Sequence, residues 1–131
     1  MNKNMHSEKF LAIDYGTVRI GLAVSFGSLA EPYKIIAAGE NAIAELKEII
    51  ASEQISKLIF GLSENEMAEK TKKFAQLVAQ TTGLAIDFFD ETLSSYEVTQ
   101  KRATSKKSPR REHLDHHAAA QILQGYLDSQ N

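Results

Sequence analysis

The chain has 131 residues, 43% hydrophobic and 24% charged, with a net charge of −2 and a pI of about 6.1. That is the size of one domain with a real core, and it excludes a disordered chain, a second domain and a strongly basic nucleic-acid binder. It has no Cys, which excludes a disulfide frame and thiolate metal sites. Residues 1–8 are polar, expected to be a flexible N-terminus, and do not resemble a signal peptide. No apolar run approaches the roughly 20 residues of a membrane helix, so a soluble cytoplasmic protein without a membrane partner is expected.

Phe10 to Asp14 is an apolar run ending in a carboxylate, and Tyr15-Gly16-Thr17 reads as a tight turn into a second apolar segment, Arg19 to Ser25. These predict a β-hairpin. Phe26 to Pro32 reads as a loop, and Lys34 to Ala38 as a third strand. The period then changes: Ile43, Leu46, Ile49 and Ile50 share one helical face. Lys57 to Gly61 is the next strand, and Met67, Thr71, Phe74 and Val78 recur at helical spacing before Gly83, a C-cap. Leu84 to Phe89 is another strand, ending at Asp90-Glu91. Ser94 or Ser95 caps a helix to about Ala103, residues 104–111 form a mobile basic loop, and Glu112 to Leu127 is a final helix with Leu114, Ala118, Ile122 and Tyr126 along one face. A three-strand meander followed by alternating strands and helices implies one α/β domain over residues 1–131, a mixed five-stranded sheet flanked by helices.

Asp14 ends the first strand, Asp90 and Glu91 end the last, and Asp115 lies on the final helix beside its apolar face. Open α/β sheets place ligands at such strand ends. If the final helix crosses near the first strand, three carboxylates converge, and hard oxygen donors of this kind suit Mg²⁺ or Mn²⁺. Two such ions can activate water and stabilise the leaving oxygen in phosphodiester cleavage. Each residue also has a plainer use: Asp14 accepting turn hydrogen bonds, Asp90 or Glu91 capping a helix, Asp115 favouring a helix N-terminus.

Asp14-Tyr15-Gly16-Thr17-Val18-Arg19-Ile20-Gly21-Leu22-Ala23-Val24-Ser25 closely resembles the opening motif of the YqgF/RuvX family. Gly61-Leu62 resembles that family's Gly-Leu-Pro, Asp90-Glu91-Thr92-Leu93-Ser94-Ser95 its Asp-Glu-Arg-Leu-Thr-Thr segment, and Asp115 with Ala118-Ala119 and Ile122 to Asp128 its closing motif. The matches run in order across nearly the whole chain. The resemblance implies an RNase H-like fold, kinship with Holliday-junction resolvases, and a nuclease role in maturing bacterial pre-16S ribosomal RNA. It implies that Asp14, Glu91 and Asp115 are the catalytic, metal-holding acids. Asp90, Gly16 and Thr17 then support them, and Arg19 lies near a substrate phosphate or braces the first loop. Ser63 stands where the family has Pro, Thr92 where it has Arg, and the segment 64–70 lacks a Gly-containing loop. Those departures leave the acidic positions intact.

Lys101, Arg102, Lys106, Lys107, Arg110 and Arg111 lie close together with no acid among them. Lys106, Lys107, Arg110 and Arg111 suit phosphate contacts that give affinity without sequence choice, or else a solvated surface loop. His113, His116 and His117 surround Asp115; adjacent His on a helix point apart, so a zinc site is a poor reading. Tyr15, Phe26 and Tyr33 are rim or core aromatics before they are stacking platforms.

The leading expectation is an Mg²⁺- or Mn²⁺-dependent nuclease acting on precursor rRNA, with ribosomal particles as further partners, as monomer or homodimer. A resolvase-like endonuclease for branched DNA and a non-catalytic rRNA- or ribosome-binding module are the alternatives. Asp14-Tyr15-Gly16-Thr17 also resembles the phosphate loop of sugar kinases and actin-like ATPases, but those need two such domains around a cleft.

Overall fold

The computed structural model describes residues 8–62, 66–90 and 115–130, with 66, 115 and 116 described by backbone alone. The elements are β1 (Phe10–Asp14), β2 (Arg19–Phe26), β3 (Leu29–Ala37), α1 (Ala42–Glu53), β4 (Lys57–Leu62), α2 (Glu66–Thr82), β5 (Ala85–Asp90) and α3 (Asp115–Ser129). The strands form one mixed sheet in the order β3-β2-β1-β4-β5. β1 pairs antiparallel with β2 and β2 with β3, while β4 runs parallel to both β1 and β5. Parallel partners require a crossover, and α1 and α2 lie in the two crossovers. The expected meander followed by alternation is the architecture found. The expected helix within 94–103 and the basic loop 104–111 lie outside the described residues.

Alternation along the strands divides the interior in two. Leu11 and Ile13 of β1 join Ile20, Leu22, Leu58 and Phe60 under α1 and α2, with Leu46 and Val78 contributed by those helices. Ala12, Ala23 and Ile59 face the other way, towards Ala119, Ile122, Leu123, Tyr126 and Leu127 of α3. Burying each large apolar side chain of this kind contributes about 1.5–3 kcal/mol. The buried stripe of α3 is turned from the predicted one. Ile122 and Tyr126 belong to it, Ala118 is half-buried, and Ala119, Leu123 and Leu127 complete it. The small side chains of Ala12 and Ala23 leave room for that face against the sheet.

The stretch 26–32 is not a loop. Gly27, at φ +64°, and Ser28 form a two-residue turn, with Phe26 opposite Leu29, the pattern of a tight hairpin with Gly first. Pro32 is accommodated because β3 is an edge strand and a bulge falls beside it. Ala23 pairs with Pro32 but Leu22 with Lys34, leaving Tyr33 as the extra residue. Gly83, at φ +76°, ends α2 as expected.

Contacts of the Tyr126 and Gln124 side chains pin the carboxyl half of α3. The Tyr126 ring meets Phe10 edge-on, with centroids 6.0 Å apart. Its hydroxyl accepts from Lys57 Nζ at 2.9 Å and donates to Asp87 Oδ2 at 2.9 Å. That hydrogen bond to Tyr126, with the nearby Asp87 charge, holds the Lys57 ammonium above its ordinary range. Burial pushes the Asp87 carboxyl up, but hydrogen bonds from Tyr126 and the Phe88 amide and the Lys57 charge outweigh it, leaving it below the usual range. Gln124 clamps the β2–β3 hairpin: its Oε1 accepts from Ala30 N at 2.9 Å and its Nε2 donates to Ser28 O at 3.0 Å.

Gly125 is where α3 passes closest to β5. A Cβ there would lie 2.8 and 2.9 Å from ring atoms of Phe89. Gly125→Val is expected to lower stability by about 1–3 kcal/mol through overpacking, read as a lower urea midpoint with an unchanged slope. Phe89→Leu in the same chain should recover part of the loss, because the clash is with that ring.

Candidate metal centre and nucleic-acid interface

Asp14 is the last residue of β1 and is half-buried. Since Ala12 faces α3 and Ile13 faces α1 and α2, alternation puts Asp14 on the α3 side. Its partner in β2 is Gly21. One step beyond the Ile13–Phe60 pair, Gly61 of β4 comes alongside. Ile20 and Leu22 face the other core, as does Phe60, so both glycines share Asp14's face. The positions alongside Asp14 on the two neighbouring strands are thus both glycines. Glycine inside a strand is unfavourable for packing and often marks close approach of a ligand. Gly21 is the residue that sequence reasoning passed over; its signal was a glycine in the middle of an apolar strand.

The β5 strand sorts its residues the same way. Ile86 and Phe88 pack towards α1 and α2, whereas Phe89 packs towards α3 and Asp87 bonds Tyr126 there. Asp90, the exposed last residue of β5 opposite Leu62, therefore belongs to the α1–α2 side. Asp14 and Asp90 end nearby strands but face opposite ways. Glu91 lies outside the described residues. Asp115 is the first residue of α3, so its backbone stands at the amino end of the helix that covers Asp14's face, while its carboxylate is not described.

Arg19 opens β2, exposed, opposite Ala37. Gly16 and Thr17 lie in the β1–β2 connection, which the Ala38 amide braces by donating to Val18 O at 2.9 Å. Lys106, Lys107, Arg110 and Arg111 lie outside the described residues, as do Ser63, Thr92 and the His113 and His116 side chains; His117 is exposed on α3. Among the described residues, no three His, Cys, Asp or Glu side chains gather as a metal-holding group. The aromatics have structural partners: Tyr15 stacks on Phe74 with centroids 4.6 Å apart, the Tyr33 hydroxyl donates to Glu53, and Lys9 Nζ sits 4.9 Å over the Phe26 ring. No helix among the described residues is long and apolar enough to cross a membrane.

A β3-β2-β1-β4-β5 sheet with an acid at the end of its central strand and a helix covering that face is the architecture of an RNase H-like domain. Solved structures agree on the fold. RuvC of T. thermophilus in complex with a Holliday junction substrate superposes with a TM-score of 0.59, 17% identity and coverage of 94% of this chain and 95% of that one. The Fowlpox virus resolvase, solved with Holliday junction DNA, gives 0.58 at 9% identity, covering 93% and 98%.

The chain belongs to the RuvX family: the family model, described as Holliday junction resolvase, matches residues 8–129. A protein of Clostridioides difficile (strain 630) named "Putative pre-16S rRNA nuclease" is 36% identical, over 92% of this chain and 94% of its own length. A protein of the same name from Oceanobacillus iheyensis is 34% identical over 92% and 98%.

Gly16 sets the loop beside Asp14. A Cβ on it would lie 2.6 Å from the Arg19 carbonyl oxygen, a backbone atom that cannot swing away. Gly16→Ala is expected to destabilise by about 1–3 kcal/mol and to shift the amide signals of Asp14 to Arg19. Gly27→Ala, which meets nothing within 4 Å, should leave those signals in place and show only the cost of its left-handed backbone, about 1 kcal/mol or a little more.

Proposed function

We propose that this chain is a divalent-metal-dependent nuclease that hydrolyses phosphodiester bonds of precursor 16S ribosomal RNA in the cytoplasm, with Asp14, Glu91 and Asp115 as its metal-holding carboxylates. The observation that carries the reading is Asp14 on the α3 face of the central strand, between Gly21 and Gly61. Two further features support the set. Asp90, the last residue of β5, belongs to the other face, which leaves it apart from Asp14. The carboxyl half of α3 is tied to Phe10, Lys57 and the β2–β3 turn, at the amino ends of β1 and β4. From Tyr126 back to Asp115 the helix spans roughly 16 Å, enough to run the roughly 13 Å length of β1 and bring Asp115 towards Asp14.

The donor set fits Mg²⁺ or Mn²⁺: oxygens only, no Cys, and glycine at the position paired with Asp14 in β2. Three carboxylates on one face repel each other unless a cation neutralises them. Bound there, the metal supplies an activated water and offsets charge at the leaving oxygen. Asp14 is held by a strand paired on both sides, so its oxygens need little reorganisation. Asp90, aimed to the other face, braces the strand end. Arg19 and the basic residues Lys106, Lys107, Arg110 and Arg111 contact phosphates and give affinity without sequence choice. The pre-16S substrate comes from the names of the relatives.

Labelled precursor rRNA, short single strands and a four-way DNA junction, each with Mn²⁺, Mg²⁺ or EDTA, test the activity. Metal-dependent cutting is expected, fastest on precursor rRNA. Asp14→Asn, Glu91→Gln and Asp115→Asn should each reduce it on the order of a hundredfold or more, and Asp90→Asn far less. Preferred cutting of the junction would replace rRNA by branched DNA; metal binding by folded protein with no cutting on any substrate would leave a binding module.

The phosphate contacts have their own signature. Replacing Lys106, Lys107, Arg110 and Arg111 by Ala should weaken single-strand binding and flatten its dependence on log salt by about 0.7 for each phosphate no longer neutralised. An unchanged slope would remove that segment from the interface.

A further inference from the structure

A cleft of about 310 Å³ opens on the opposite face of the sheet, between the β1–β2 connection, the amino end of α1 and the middle of α2. That is at the small end of the roughly 300–1,000 Å³ range of ligand clefts. Its apolar walls include Ile43, Leu77 and the stacked Tyr15–Phe74 pair. Thr17 and Glu40 supply its polar side chains. Tyr15 directly follows Asp14, so a strand held at Asp14 and passing over the β1–β2 connection comes to the cleft mouth.

We infer that this cleft takes one unstacked nucleobase of the bound strand, guanine in preference. The inference rests on the nuclease reading for the strand but on the cleft alone for the base. An aromatic and aliphatic slot beside a strand path suits a flat π-face. The charge at the rim selects which part of a nucleotide enters. The Glu40 carboxylate repels phosphate and accepts N–H donors. The start of α1 lies in the same wall, through Ala42 and Ile43; the Ala42 amide is taken up by the Gly39 carbonyl, and the first-turn amides from Ile43 onward carry the positive end of the helix dipole. The Asn41 side chain makes no capping bond to them. An acceptor beside donors matches guanine, whose N1–H and N2–H adjoin O6. Adenine, cytosine and uracil each lack that pairing of two donors with an acceptor.

Guanosine, adenosine, cytidine and uridine, titrated into the ¹⁵N-labelled full chain in EDTA, test the cleft without metal or cleavage. Guanosine should shift the amide signals of Tyr15, Thr17 and Gly39 to Ile43, with the other nucleosides weaker. Leu77, 53% exposed, is a safe place to fill the slot: Leu77→Trp should weaken guanosine about tenfold or more. Glu40→Gln should bring guanosine level with adenosine while the cleft still binds both. Absence of shifts at these residues for every nucleoside, or guanosine binding unmoved by Leu77→Trp, overturns the site. Asp14→Asn separates the two readings, since it should abolish cutting and leave guanosine binding intact. Guanosine binding in a chain that cuts nothing would leave the cleft standing and the nuclease reading fallen.

Discussion

The period-two alternation along β1 is the constraint on which the molecule turns. Five residues, Phe10 to Asp14, sit in the centre of the sheet with a strand on either side. Odd positions fill the core beneath α1 and α2, and even positions face α3. A one-residue slip would send Leu11 and Ile13 to the wrong side and carry Asp14 with them. The position of the acid is thus fixed by the burial of its neighbours. Deep burial of Leu11, Ala12 and Ile13, all at 0% exposure, makes this strand a stiff base for a carboxylate.

Glycines at positions 21 and 61 are the complement of that constraint. Gly21 lies between the buried Ile20 and Leu22, and Gly61 follows the buried Phe60, so each forgoes side-chain packing. Both do so beside Asp14 and on its face. On the proposed reading, that pairing serves a ligand at the acid.

Much of this was legible in the sequence because the signals were periodic. The apolar runs of β1, β2 and β4, the helical stripe of α1 and the glycine after α2 correspond to the elements found. The hairpin at 26–32 was not legible, because Pro32 reads as a strand breaker and only its edge position and the bulge at Tyr33 reconcile it with β3. The buried stripe of α3 was misjudged for a related reason. Alanines at 118, 119 and 120 carry no periodic signal among themselves, and the sheet residues that select Ala119 are distant in sequence. At the candidate site the acids could be found from chain position and family resemblance. Gly21's part could not, since a glycine's partner across a ladder appears only once strands are in register.

The doublet Asp90-Glu91 shows how packing far from the chemistry assigns roles. In sequence the two acids are equivalent ends of one strand. Alternation puts Asp90 on the α1–α2 face, away from Asp14, and that assignment depends on the register of β5. That register is read by α3: Asp87 bonds the Tyr126 hydroxyl, and the Phe89 ring occupies the notch that Gly125 leaves. Moving β5 by one residue would put Phe88 against α3 and turn Asp90 to Asp14's face. The helix that carries Asp115 therefore also keeps Asp90 off Asp14's face. The closing helix would act on the acidic set twice, once through its first residue and once through the face it presses on β5.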